Sequence, residues 1–214
     1  MFKISSYRLC SFILILTLIF FSGCGGSESG LDGDAAIAVE MTAHDTGDAG
    51  ADPTLAIDTV WSLCPQGEDQ EPTSEPFFDA LGQAKFTYIF YCPTCPPGAG
   101  ETYIIESYTV EYIPRKSPDG VGGFFLPPKL VNLDQRILSH IVLSKDFKTA
   151  ERTVILVPVN TKAEYVNKSQ ALGTSIQSIY SIRVTFHGKN RAGNSFDQIT
   201  DLEVFFGNYN RCEG

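Results

Sequence analysis

The alternation of apolar and polar side chains near the C-terminus is the feature that most limits how this chain can fold. Tyr180, Ile182, Val184 and Phe186 alternate with Ser181, Arg183, Thr185 and His187. A period of two places the first set on one face of an extended strand and the second set on the other. Residues 202–206 repeat the pattern with Leu202, Val204 and Phe206. We therefore expect a pair of half-buried strands here.

Further runs rich in β-branched and aromatic residues precede this pair. They cover residues 86–91, 103–113, 137–143 and 153–159, and Gly, Pro, Asn and Asp clusters separate them. We expect residues 86–91 to form the first strand and the continuously apolar residues 153–159 to form a central one. The one segment that we expect to form a turn of helix is residues 170–176. Several short strands separated by regularly spaced turns predict an all-β fold. We expect a β-sandwich over residues 59–214.

The loop between the last two strands contains Asn190, Ala192, Gly193 and Asn194, and Gly193 can adopt the positive φ that a tight hairpin requires. The strand starting at Tyr180 and this loop together resemble the penultimate strand and final hairpin of fibronectin type III and bacterial Ig-like domains. The resemblance implies an Ig-like sandwich in which the Tyr180 hydroxyl bonds to nearby backbone, the tyrosine corner. It implies an insertion at residues 116–129, because the strand region is longer than a standard repeat. A fold of this kind does not define a function.

The N-terminus has the layout of an export signal. Lys3 and Arg8 give it positive charge, and the 13 residues 9–21 are almost wholly apolar. This run fits the core of a signal peptide and is short for a transmembrane helix.

The apolar run ends in Phe21-Ser22-Gly23-Cys24, which resembles a bacterial lipobox. The resemblance implies that residues 1–23 are a lipoprotein signal peptide and that Cys24 becomes a lipidated (palmitate-bearing) N-terminus. Gly25 stands where an inner-membrane retention signal would have Asp, so the resemblance favours the outer membrane. An ordinary secretory signal with Cys24 as a simple thiol is the alternative.

Charge is unevenly distributed along the chain. Residues 25–84 contain 13 acidic residues and no Lys or Arg, whereas residues 85–214 contain 14 basic and 12 acidic residues. Residues 24–58 are also rich in Gly, Ala, Ser, Thr and Asp without apolar periodicity, a composition that cannot offset the entropy of ordering. We therefore predict a flexible acidic tether over residues 24–58.

Four cysteines, an even number, remain once Cys10 is removed with the signal peptide and Cys24 is lipidated. They are Cys64, Cys92, Cys95 and Cys212. Export predicts structural disulfides, and a zinc site built from the same four thiolates is the alternative. Pro96 excludes a c-type haem site, and the prolines and glycines after Cys95 oppose a redox-active helix N-terminus.

The pairing of these cysteines follows from the resemblance. In an Ig-like sandwich the first and last strands end at the same pole, which implies that Cys212 pairs with Cys92 or Cys95 and that Cys64 takes the other. The competing arrangement joins Cys92 to Cys95 and Cys64 to Cys212.

Motifs for catalysis are scarce. The chain has three histidines and no nucleophile elbow, zinc-protease helix or phosphate-binding loop. We therefore predict no enzyme activity and no cofactor, with a surface hydrolase using loop carboxylates as the rival hypothesis. The scattered Lys and Arg residues exclude a nucleic-acid surface.

The most suggestive surface is the apolar segment at residues 120–128, which contains Phe124, Phe125 and Leu126. We expect these side chains to fold back onto the sandwich, because exposed apolar patches are uncommon; a partner-binding tip is the alternative. The leading hypothesis is a non-enzymatic envelope lipoprotein that binds or spaces protein or polysaccharide components.

Overall fold

The computed structural model describes residues 35–44, 56–59, 63–64, 73–74, 78–91, 101–171 and 177–209. The short strands are β2 (Ala56–Asp58), β3 (Leu63–Cys64), β4 (Thr73–Ser74), β7 (Ser117–Pro118) and β8 (Phe124–Phe125). The long strands are β1 (Ala35–His44), β5 (Ala80–Phe90), β6 (Tyr103–Pro114), β9 (Leu133–Leu143), β10 (Thr149–Val157), β11 (Ser178–Asn190) and β12 (Ser195–Gly207). The helix α1 (Val159–Ala171) connects β10 to β11.

The long strands form two sheets. One sheet has three antiparallel strands in the order β1-β5-β10, and the other has the order β2-β12-β11-β6-β9, in which only β2 runs parallel to its neighbour. The first, second and fifth of the long strands thus share the smaller sheet. The predicted all-β sandwich is confirmed.

Aromatic side chains from both sheets fill the core. The rings of Phe86 in β5 and Phe186 in β11 meet edge to face with centroids 4.9 Å apart. The inward set predicted for β11, from Tyr180 to Phe186, is buried together with Val204 and Phe206 of β12. Such aromatic pairs contribute about 0.5–1.5 kcal/mol beyond the burial of their area. The period-two pattern therefore identified the correct core face of these strands.

The first strand of the sandwich lies in the segment predicted to be a tether. β1 pairs antiparallel with β5 along its whole length, from Ala35 opposite Phe90 to His44 opposite Leu81. Ile37 is buried, and β2 adds to the larger sheet beside β12. The prediction of a flexible tether over residues 24–58 is therefore wrong for β1 and β2. Alanines occupy two of the buried positions in β1, so the strand has little apolar signal.

Strand β10 and helix α1 also differ from expectation. β10 lies at the edge of the smaller sheet rather than at its centre. The helix begins at Val159, whose N–H donates to Asp79 Oδ1 at 2.8 Å as an N-terminal cap. Its buried face contains Thr161, Lys162, Tyr165 and Ser169. Only Tyr165 is a large aromatic residue, so helical periodicity was not visible in the sequence; the turn predicted at residues 170–176 overlaps only the helix end.

The final hairpin has the geometry that the sequence predicts. Gly193 adopts a positive φ of 89°, and its N–H donates to the carbonyl of Asn190 at 2.9 Å. The Asn190 side chain accepts a second hydrogen bond from Asn194 N at 2.8 Å. Gly193 is thus confirmed as the left-handed residue of this turn.

The cysteine predictions fall mainly outside the described residues. Cys10, Cys24, Cys92, Cys95 and Cys212 are not described, and Cys64 is described only as a backbone position in β3 opposite Thr73. The disulfide pairing and the zinc alternative therefore stay predictions. In the part of the chain that is described, no helix is long and apolar enough to cross a bilayer.

Gly188 occupies a crowded position in β11, and the variant Gly188→Ala is expected to be destabilised. A Cβ there would lie 2.5 Å from the carbonyl oxygen of Ile104 and 2.5 Å from the ring of Phe196. Neither atom can move freely, because one is backbone and the other belongs to a buried ring, so we expect a loss of about 1–3 kcal/mol. Urea unfolding measures it, with Glu203→Ala, a truncation at an exposed position of the neighbouring strand β12, as a control. Equal midpoints for the two variants would contradict the packing.

Candidate functional site

The insertion between β6 and β9 forms an ordered hairpin. Strand β7 pairs with β8, and the turn between them is closed by a hydrogen bond from Asp119 N to the carbonyl of Gly123 at 3.1 Å. The Asp119 carboxylate accepts hydrogen bonds from Val121 N at 2.9 Å and from Gly123 N at 2.7 Å. We call residues 117–126 the apolar hairpin. Its backbone has a defined shape because the turn is hydrogen-bonded from within.

The base of the apolar hairpin is attached firmly to the sandwich. Ser117 is fully buried, and its Oγ accepts a hydrogen bond from Ile179 N at 2.8 Å. The Tyr180 hydroxyl donates to the carbonyl of Pro128 at 2.7 Å. Burial raises the pKa of Tyr180, so its phenol stays protonated and remains a donor. Leu130 is buried in the core just beyond it.

This contact changes the role predicted for Tyr180. The hydroxyl does bond to backbone, but its acceptor lies 52 residues upstream rather than nearby in the chain. Tyr180 therefore ties the insertion to strand β11 and does not form a tyrosine corner. The sequence could not reveal this partner, because the contact depends on where the insertion returns to the sheet.

The tip of the apolar hairpin points into solvent. The exposed fractions are 90% for Val121, 73% for Phe124 and 62% for Leu126, and Phe125 is half-buried. The expectation that Phe124 and Leu126 fold back onto the sandwich is therefore wrong. Pro127 and Leu130, which follow the hairpin, are buried instead. These two residues, and not the tip, contact the core of the sandwich. Exposed apolar side chains on a fixed backbone are typical of a binding surface.

Basic residues adjoin the base of the apolar hairpin in the chain. Arg115, Lys116 and Lys129 are exposed beside the apolar hairpin, whereas the whole chain has a formal net charge of -9. The carboxylate of Asp119 is engaged by the backbone of the turn. The hairpin thus presents exposed apolar side chains on an acidic protein, and three exposed basic residues adjoin its base in the chain.

A second group of polar side chains lies on the outer face of the larger sheet. The strand registers place four residues in one row across β12, β11, β6 and β9: Asp197, His187, Ser107 and Arg136. His187 Nδ1 lies 2.8 Å from Asp197 Oδ1, and His187 Nε2 lies 3.3 Å from Thr109 Oγ1.

The order carboxylate, imidazole and hydroxyl is one that can activate a nucleophile. Thr109, however, pairs with Thr185 on one side and Asp134 on the other. The backbone N–H groups around it are therefore used by the two ladders and cannot stabilise an oxyanion. We interpret these contacts as a surface hydrogen-bond network in which Asp197 and Thr109 fix the orientation of the His187 ring.

A cleft opens beside this row, where the pairing of β6 with β9 is interrupted. Ile105 pairs with Ile141 and Ser107 pairs with Arg136, so the single residue Glu106 faces residues 137–140. The extra residues bulge away from the ladder, and Arg152 Nη2 of β10 donates to the carbonyl of Ser139 at 3.2 Å. The cleft has a volume of about 530 Å³ and is lined by Glu106, Ser107, Arg136, Ile137, Leu138 and His140.

This cleft has no counterpart among the features that the sequence predicts. The run at residues 137–143 predicted an uninterrupted strand, whereas residues 137–140 are the bulge itself. Bulges often occur beside functional sites because they redirect side chains. A bulge depends on which strand is the partner and in which register, so no local pattern in the sequence indicated it.

No cluster of three or more His, Cys, Asp or Glu side chains suited to a metal ion occurs among the described residues. Arg183 and Asp201 instead form an exposed ion pair with 2.9 Å between Nε and Oδ1. The hydrogen bond from Arg183 holds the pKa of Asp201 below its usual range. Lys189 pairs with Glu106 at 3.3 Å.

Comparison with known proteins adds little to this geometry. No protein-family model matches the chain, and no curated protein matches it. One solved structure is similar, the X-ray structure of a Northeast Structural Genomics Consortium target, SoR45. It has 9% sequence identity and a TM-score of 0.32, and the match covers 81% of this chain and 88% of that one.

Proposed function

We propose that this chain is a non-enzymatic, lipid-anchored envelope protein whose sandwich presents the apolar hairpin to an envelope protein partner. The observation that supports this most directly is the exposure of Phe124, Leu126 and Val121 on a hairpin whose base is fixed. The lipid anchor rests on the resemblance of residues 21–24 to a lipobox, and Gly25 favours the outer membrane.

Burial of the exposed tip would supply binding energy. Full burial of a Val, Leu or Phe side chain contributes about 1.5–3 kcal/mol. The backbone of the hairpin is already ordered by its turn and by the Ser117 and Tyr180 hydrogen bonds. The entropy lost on binding is therefore smaller than for a flexible loop.

The charges next to the hairpin base indicate the chemistry of the partner. Arg115 and Lys116 precede the apolar hairpin in the chain, Lys129 follows it, and all three are exposed. A groove with an apolar floor and an acidic rim is the complementary surface, and such complementarity favours specificity and fast association. The acidic remainder of this chain would repel the acidic rim of the partner, so we expect the partner to contact the hairpin before any other part of the chain.

Site-specific photocrosslinking in intact cells tests this proposal. A photoreactive residue at position 124 of the full-length protein is expected to give one discrete protein adduct. The same probe at Glu151, exposed on β10 of the other sheet, should give none. Adding Val121→Ser and Leu126→Ser to the position-124 probe should lower the adduct yield on the order of tenfold, since two apolar contacts are lost.

Each other outcome opposes the proposal. Equal adducts from positions 124 and 151 would indicate collisional labelling. Adducts with phospholipid alone would make the hairpin a membrane-insertion device. A yield unaffected by the two serine substitutions would remove the apolar contact as the cause of binding.

A further inference from the structure

The cleft beside the β9 bulge combines polar donors with an unused apolar surface. Its polar groups are the guanidinium of Arg136, the hydroxyl of Ser107, the imidazole of His140 and the carboxylate of Glu106. Of its two apolar lining residues, Leu138 is exposed and Ile137 is buried. These groups come together because the bulge displaces residues 137–140 from the ladder while Ser107 and Arg136 stay paired across it.

Arg136 differs from its charged neighbours on this face. Arg183 pairs with Asp201, and Lys189 pairs with Glu106. Among the described residues, no carboxylate lies within ion-pair distance of Arg136, whose side chain is exposed at the cleft. The one carboxylate that lines the cleft, Glu106, already has its Lys189 partner at 3.3 Å. The cleft therefore keeps one unneutralised guanidinium.

The apolar wall of the cleft is exposed to an unusual degree. Leu138 is 100% exposed at the top of the bulge, while the adjacent Ile137 is buried at 7% exposure. The hydrogen bond from Arg152 to the Ser139 carbonyl holds the bulge in this position. A fully exposed leucine beside a cleft gains free energy when a ligand covers it.

We propose that this cleft binds the C-terminal carboxylate of a short peptide that has small aliphatic side chains. Arg136 takes the carboxylate through the paired hydrogen bonds that a guanidinium forms with such a group. Ser107 and His140 lie within the same cleft to donate to it, and the exposed Leu138 contacts the aliphatic side chain. Inorganic phosphate has no aliphatic part for Leu138 to cover, so a peptide carboxylate is the better fit.

The volume and position of the cleft agree with this ligand. A cleft of about 530 Å³ lies within the range of small-ligand sites, roughly 300–1,000 Å³, and can hold two or so small residues. It lies between β6 and β9, and β9 is the edge strand of the larger sheet among the described residues. This site is distinct from the apolar hairpin, and neither proposal depends on the other.

Ligand-observed fluorine NMR on the full-length protein in detergent tests the proposal. The probe is trifluoroacetyl-alanyl-alanine, and its matched control is the C-terminal amide of the same dipeptide. We expect the carboxylate to bind at least on the order of tenfold more tightly than the amide, because only the carboxylate forms the charge-assisted pair. Arg136→Gln should remove this preference, and Leu138→Ser should weaken both probes several-fold.

Arg183→Gln is the control for a general loss of surface charge, since Arg183 lies on the same face but is paired with Asp201. It should bind like the wild type. The proposal is overturned if no probe binds at millimolar concentration, if acid and amide bind equally, or if Arg136→Gln retains the preference with unchanged circular dichroism. Displacement by equimolar inorganic phosphate would also overturn it, because the cleft would then be a general anion site.

Discussion

The variant Cys24→Ser is expected to leave the membrane fraction or to accumulate as the uncut precursor. Serine has no thiol to receive the lipid, so the mature chain would lose its acyl chains. Each methylene of those chains contributes about 0.8 kcal/mol of membrane affinity when buried, and two or more chains make anchoring stable. The expected change is therefore the loss of the lipidated mature form: either nearly complete release of the cut chain from the membrane, or an unlipidated precursor that keeps its signal peptide.

Fractionation, gel mobility and incorporation of labelled palmitate measure this outcome. Cys10→Ser is the matched control, because Cys10 lies within the residues 1–23 that are predicted to be removed. It should be processed and labelled like the wild type. If Cys24→Ser fractionates, migrates and takes up palmitate as the wild type does, the lipoprotein proposal is wrong.

The second large effect concerns strand β1. The variant Ile37→Asp is expected to unfold the sandwich or to bring it close to unfolding. Ile37 is 5% exposed and its strand pairs with β5 along ten positions. A carboxylate forced into this place costs several kcal/mol, which is comparable to the total stability of about 5–15 kcal/mol that native domains have.

Thr42→Asp provides the control, since it adds the same charge to the same strand at an exposed position. Urea unfolding of the full-length protein, followed by circular dichroism, should give a midpoint near the wild-type value for Thr42→Asp and a large decrease for Ile37→Asp. Equal midpoints would mean that β1 is dispensable, as a flexible tether would be.

Local patterns in the sequence were sufficient to predict the structure of strands that have one buried face and one exposed face. In β11 every apolar residue of the period-two set from Tyr180 to Phe186 is buried, and Gly193 has the positive φ that its turn requires. These features depend on neighbours a few residues away. Patterns of this kind are legible because strand geometry alone fixes which side chains share a face.

The same reasoning failed where burial came from a distant partner. Ala35 and Ala43 are buried because β5 and the opposite sheet cover them, although alanine contributes little apolar signal. Helix α1 buries Lys162 and Ser169 beside Tyr165, a polar set that no helical pattern would assign to a core. In both elements the tertiary environment outweighed local composition.

The sequence by itself thus determined the all-β character, the core face of the final strands and the turn at Gly193, and it indicated the lipobox and the apolar segment at residues 120–128. The tertiary structure alone decided that Phe124 and Leu126 are exposed, that Tyr180 holds Pro128, and that a bulge in β9 opens a cleft at Arg136. The physical reason is the range of the interactions. Periodicity and turn chemistry act between adjacent residues, whereas exposure, register and clefts depend on which distant strands meet.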